Sequence, residues 1–221
     1  MFAPAITALG PAFERKTGHK LLIDTVTSPQ AIKQKFAAGA AIDVGIYLAS
    51  VIDDLVKAGK ISAASRVNLA RTGVGVGVRA GAPKPDVSTA DAFKRTLLNA
   101  KSVAYATEGR SGRQFSRLLD RLGVAAQVKP KLKALTSETA IPALAKGEVE
   151  IAVLLIARIV NGAGVEFAGP IPTEFQVYLP LAAGVSSNAK QPDAANILIK
   201  YLTSPEAAPV IKAKGMEPGA R

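Results

Sequence analysis

The sequence predicts an α/β protein of two lobes, and three observations carry that expectation. Short apolar, β-branched runs alternate with amphipathic helical stretches along all 221 residues. Two Pro/Gly-rich breaks, Arg79-Ala-Gly-Ala-Pro-Lys-Pro-Asp86 and Gly169-Pro-Ile-Pro-Thr-Glu174, divide the chain into an outer pair of segments around an inner block of about ninety residues. A 48% apolar share at this length suffices for one large or two small cores.

The elements follow in order. Pro4–Lys16 reads as a helix with Ile6, Leu9 and Phe13 along one face. Lys20–Val26 reads as a strand. Ser28-Pro29 then opens a helix, since Ser caps well and Pro fits the first helical position; Ile32 and Phe36 share its buried face. Asp43–Tyr47 is the next strand. Ser50, with Asp53 three residues on, reads as a capping-box variant opening a helix that Gly59 stops. Gly73–Arg79 is a strand in which Val74, Val76 and Val78 alternate with glycines. Ser88–Ala100 is helical and Ser102–Ala106 a strand. Phe115, Leu118, Leu119 and Leu122 form a helical stripe. Leu132–Leu135 is a short strand, Thr136 or Ser137 caps a helix running to Gly147, and Glu150–Ile156 and Val177–Val185 are strands. Helices at Asp193–Thr203 and Ser204–Lys214 close the chain. Strands alternating with helices lead us to expect parallel sheets with right-handed crossovers.

Composition excludes several classes of function. Without cysteine there is no disulfide framework and no thiol chemistry, and His19 alone makes no histidine metal centre. His19, in a helix-to-strand turn, reads as a surface residue. No apolar run reaches a membrane span. Met1-Phe2-Ala3-Pro4 lacks a basic region ahead of an apolar one, so no signal peptide is visible. The net charge of +11 is spread along the chain, which favours general attraction of anions over a nucleic-acid face. Gly-x-Ser-x-Gly, Walker and dinucleotide fingerprints are absent, so neither an enzyme nor a cofactor is expected.

The blocks resemble a known family. Pro11-Ala-Phe-Glu-Arg-Lys-Thr-Gly18, Gly39-Ala-Ala-Ile-Asp43, Lys146-Gly-Glu-Val-Glu-Ile151, Gly169-Pro-Ile-Pro172 and Tyr201-Leu-Thr-Ser-Pro-Glu206 are similar, in order, to the periplasmic solute-binding proteins of ABC importers, type II fold, molybdate-binding-protein-like branch. The resemblance implies two lobes with parallel or mixed sheets flanked by helices, residues 1–78 plus 178–221 and residues 79–177, with a cleft between. It also implies a monomer, transient docking on importer membrane subunits, and a periplasmic or extracellular place after export, or a cytoplasmic one if this start is genuine. One feature departs from the family pattern. The chain begins at what should be the first helix, so the opening strand and most of a serine-bearing loop are missing, as a misplaced start would produce. The first-lobe sheet is therefore expected to show a gap.

Candidate ligand residues sit where helices begin after strands, because free N–H groups and positive dipole ends gather there. Thr27 and Ser28 either cap their helix or donate to an anion; by resemblance they match a ligand-contacting serine. Arg110, Ser111 and Gly112 open the Phe115 helix, where a hydroxyl and glycine N–H groups make an anion nest and a guanidinium pairs with a carboxylate or oxyanion. Arg113, Arg117 and Arg121, opposite the apolar stripe, read as a solvated face. By resemblance, Ile156 offers a backbone N–H and Tyr178 a phenol at the cleft floor, although Tyr178 also reads as a core aromatic. The expected function is non-catalytic binding of a small anion, a molybdate-like oxyanion first and a small carboxylate next, for an importer. An effector-sensing domain of the same fold, or an enzyme recruited on it, are the alternatives.

Overall fold

The computed structural model describes residues 1–25, 28–106, 109–136 and 138–219, with the side chains of residues 109–114 outside that description. The chain opens with α1 (Ala3–Thr17), α2 (Pro29–Ala37), β1 (Val44–Leu48), α3 (Ala49–Lys57) and β2 (Val67–Thr72). It continues through β3 (Val74–Arg79), α4 (Ala90–Asn99), β4 (Val103–Ala106), α5 (Gly109–Arg121), α6 (Ala125–Val128), β5 (Leu132–Leu135), α7 (Ala140–Ala145), β6 (Ile151–Leu155), α8 (Ile156–Val160) and β7 (Val165–Pro170). It ends in β8 (Leu179–Val185), α9 (Pro192–Leu202), α10 (Ala208–Ala213) and β9 (Glu217–Pro218). Two compact units result, Met1–Arg71 with Leu179–Arg221, and Thr72–Tyr178.

In the first unit a four-stranded sheet runs β1-β8-β2-β9. The pairs β1·β8 and β2·β9 are antiparallel, unlike the parallel sheets expected. The reason is topological: β8 belongs to the chain's return, so its direction beside β1 is not dictated by a local βαβ crossover. On one face Ile32 and Phe36 of α2 pack with Val51, Ile52 and Leu55 of α3 and Ala182 of β8. Elsewhere Phe13 of α1 meets Tyr201 of α9, ring centroids 5.5 Å apart. Gly18, at φ +74°, ends α1 in the left-handed conformation that glycine adopts without a Cβ penalty.

The strand expected at Lys20–Val26 does not form over residues 20–25. Leu22 is 99% exposed, and nothing among the described residues pairs with the backbone of Leu22 or Ile23. Strand composition makes a strand only where a neighbour supplies hydrogen-bond partners. Two caps also differ from expectation. α3 starts one residue before Ser50, without a side-chain cap, because Asp53 pairs with Arg66 at 3.0 Å instead. Thr136 and Thr139 bond each other reciprocally, Oγ1 to N at 3.1 and 3.2 Å, fixing the turn before α7 rather than its first residue. Ser137 lies outside the described residues.

The second unit holds a five-stranded sheet in the order β5-β4-β6-β3-β7. β4 runs parallel to β5 and β6, whereas β3 runs antiparallel to β6 and β7. The expected boundary at 78 puts most of β3 in the first lobe, whereas its ladder partners β6 and β7 place it in this sheet. Alternation along the strands builds two cores. Val74, Val76, Val78, Val103, Ile151 and Val153 face Phe93 and Leu97 of α4 and Phe115, Leu118 and Leu119 of α5. Ala104, Ala106, Ala152 and Leu154 face Ala140 and Leu144 of α7 and Ile159 of α8. Each fully buried Leu or Phe, such as Leu97, Leu119 or Phe93, contributes about 1.5–3 kcal/mol through removal from water.

Candidate functional site

In the second unit the neighbouring strands β4 and β6 send their helices to opposite faces. α5 leaves β4 on the face of Val103 and Val153, while α8 leaves β6 on the face of Ala104 and Leu154. The chain then continues to β5 on one side of the sheet and to β7 on the other. This is a topological switch point, and crevices at the carboxyl ends of such strands receive ligands in open α/β sheets. Arg110, Ser111 and Gly112 stand there, in the first turn of α5. First-turn N–H groups have no acceptor four residues earlier within the helix and carry its positive dipole end. Thr107 and Glu108 lie outside the described residues, as do the side chains of Arg110 and Ser111.

Ile156 opens α8, but its N–H is already used. It donates to Gly73 O at 2.9 Å, and the next N–H, of Ala157, donates to Thr72 Oγ1 at 3.1 Å. The expectation that Ile156 presents a free main-chain donor is therefore corrected: the segment entering β3 occupies it. Thr72 is fully buried, so its hydroxyl is a structural acceptor.

Tyr178 ends the second unit and is 37% exposed, so it is not a core aromatic. Two residues before it, Gln176 makes a set of bonds that sequence reading missed. Its Oε1 accepts from Val74 N at 2.7 Å and Val177 N at 3.0 Å, and its Nε2 donates to Val74 O at 2.9 Å. The available signal was a lone amide side chain two residues past the Gly/Pro-rich second break. Arg121 is not simply solvated either. Its guanidinium lies over the Phe175 ring, 5.0 Å from the centroid, and donates to Glu174 O at 3.4 Å.

In the first unit Ser28 is the N-cap of α2, with extended backbone and Oγ accepting from Ala31 N at 3.1 Å. The hydroxyl hydrogen is left to donate outward, because a serine hydroxyl both accepts and donates. Thr27 lies outside the described residues. Tyr47, in β1, has its phenol pushed up first by burial and then by the Asp24 carboxylate. The carboxyls of Glu14, Asp54, Asp86 and Glu166 are held below the ordinary carboxylate range, each first by a hydrogen bond: from Leu21 N–H, Lys33, Ser88 N–H and Lys84 respectively. Among the described residues, no group of three or more His, Asp or Glu is placed to hold a metal, and no helix is long and apolar enough to cross a membrane.

Comparison with known proteins gives a consistent picture. The profile of the family described as bacterial extracellular solute-binding protein matches residues 1–217. An aconitate isomerase from Pseudomonas sp is 34% identical over 218 residues, 96% of this chain and 83% of that protein. The periplasmic molybdate-binding protein of Azotobacter vinelandii superposes with a TM-score of 0.76 at 19% identity, covering 99% of this chain and 96% of that one. The binding protein AgtB of A. tumefaciens R10, in complex with agropinic acid, gives 0.70 at 15% identity, covering 98% and 79%. Identities this low show a shared fold and nothing of the ligand. With a whole-length profile match, a full-length relative and the α/β architecture in agreement, the chain belongs to the bacterial extracellular solute-binding proteins and has their type II fold.

Proposed function

We propose that this protein binds a small organic polycarboxylate without transforming it, and presents it to the membrane subunits of an ABC importer. The observation that carries the reading is the 34% identity, across nearly the whole chain, to a protein named for acting on aconitate, a tricarboxylate. That likeness outweighs the molybdate-binding neighbour at 19%, so the order of ligands expected from sequence is reversed here. The donor set suits the reading. Arg110 forks onto one carboxylate. In the second unit Ser111 and the Tyr178 phenol donate from hydroxyls and the first-turn N–H groups around Gly112 add the dipole field, and in the first unit Thr27 and Ser28 offer hydroxyl donors of their own. A charge of +11 draws anions in at long range.

The same relative favours a second reading, isomerisation of an unsaturated tricarboxylate. Moving a double bond requires a base that takes a proton from carbon and returns it to the allylic position. Such a base works best with a pKa near the working pH. Calorimetric titration of cis-aconitate, trans-aconitate, citrate, sulfate and molybdate, with proton NMR of each aconitate in the presence of protein, decides the matter. Saturable binding of a polycarboxylate with no interconversion is expected. Catalytic interconversion would replace the first reading with the second, and binding of molybdate alone would overturn both.

A further inference from the structure

Gln176 lies in the stretch where the chain is about to leave the second unit, and its partners all lie within that unit. The amide joins two passages 102 residues apart in sequence: Gly73-Val74, just inside the unit's entry, and Gln176–Tyr178, at its exit. Besides the bonds to Val74 and Val177, Nε2 reaches Ile171 O at 3.5 Å. Two N–H groups converge on the oxygen and two carbonyls on the nitrogen, which also fixes which way round the amide stands. The fit is close: a Cβ added at Gly73 would stand 2.9 Å from Oε1 and 3.0 Å from Cδ. Glycine at 73 is thus the residue that leaves room for this amide.

We propose that Gln176 is a positioning residue for ligand binding. By holding Val177 N against the backbone of Val74 it sets where Tyr178, the next residue, presents its phenol. The inference rests on the reading above only in taking Tyr178 as a ligand contact. A side chain held by the sheet's own backbone does not drift when solvent conditions change, and a contact residue needs such support to stay within a fraction of an ångström of its working place. The three residues Gln176–Tyr178 belong to neither helix nor strand, so no ladder or helical hydrogen-bond pattern of their own holds them.

The test uses two variants of the full chain, Gln176→Ala, which removes the amide, and Gly73→Ala, which displaces it. The protein has four tyrosines, so ring-labelled tyrosine gives a small set of NMR signals, from Tyr47, Tyr105, Tyr178 and Tyr201. Both variants are expected to move the Tyr178 signals while those of Tyr105, in the same unit, stay in place. Titration with trans-aconitate should weaken about tenfold or more in both, the usual loss when a group that orients a contact residue is removed. Should Gln176→Ala fail to fold, Gly73→Ala carries the test. Unmoved Tyr178 signals, a joint movement of Tyr178 and Tyr105, or wild-type affinity in a variant whose Tyr178 has moved would each overturn the proposal. If trans-aconitate fails to bind the wild-type protein, the polycarboxylate reading falls and the spectra still decide whether Gln176 places Tyr178.

Discussion

Replacing Gly75 by alanine puts the packing of the second sheet to a direct test. β3 alternates glycine with valine because its two faces meet different neighbours. Val74, Val76 and Val78 fill the core under α4 and α5. On the opposite face Leu144 of α7, Ile159 of α8 and the Phe167 ring of β7 pack together. A Cβ on Gly75 would lie 2.5 Å from Phe167 Cε2, 2.9 Å from Gly169 O and 3.0 Å from Ile156 Cγ1. The phenyl ring can rotate away, but the Gly169 carbonyl belongs to β7 and is paired with β3, so relief requires the strand itself to shift. Overpacking of this kind costs about 1–3 kcal/mol. The smaller entropy of an unfolded chain with alanine in place of glycine returns about 0.4–1 kcal/mol. The net expectation is a loss of about 1–2 kcal/mol, hence a fall in Tm of about 4–15 °C if the second unit melts as a domain of its own. Calorimetry with urea unfolding measures both. An unchanged or raised Tm would show that β7 yields freely and that the close approach is not a constraint.

Gly10→Ala should act in the opposite direction: it lies inside α1, its nearest neighbour is Leu21 Cδ1 at an ordinary 3.6 Å, and alanine gains about 0.5–1 kcal/mol in a helix interior, readable as a higher Tm. Ser28→Ala should cost about 1 kcal/mol by removing the cap of α2, whereas Ser28→Asp should keep the cap and stability while abolishing anion binding by charge repulsion; retained binding in Ser28→Asp would exclude Ser28 from the site. Glu14, Asp54, Asp86 and Glu166 all have folded-state pKa values below their ordinary ones, so the folded state binds fewer protons than the unfolded state as the carboxylates titrate. Their contribution is present above the ordinary carboxylate range and lost as pH falls through it. Melting scans should therefore show Tm steady at mildly acidic pH and falling below about pH 4, with the fall reduced in 1 M salt.

Much of this protein is written locally. The Ile6, Leu9 and Phe13 stripe gives α1, Ser28-Pro29 starts α2, the Phe115–Leu122 stripe gives α5, and the Val/Gly alternation gives β3, because helix period, capping and strand alternation depend on residues a few positions apart. The helix starts that bear Ser28 and Arg110 were legible for the same reason. Tertiary structure decided what depends on distant partners. Lys20–Thr25 has the residues of a strand, but among the described residues no strand lies beside it to pair with, so it is none. β1 runs antiparallel to β8 because a segment from the far end of the chain lies beside it. The Ile156 N–H is occupied by Gly73 O, more than eighty residues earlier, and Gln176 reaches back 102 residues to Val74. A hydrogen bond satisfies its donor wherever the acceptor comes from, and only the folded chain shows which donors remain for a ligand.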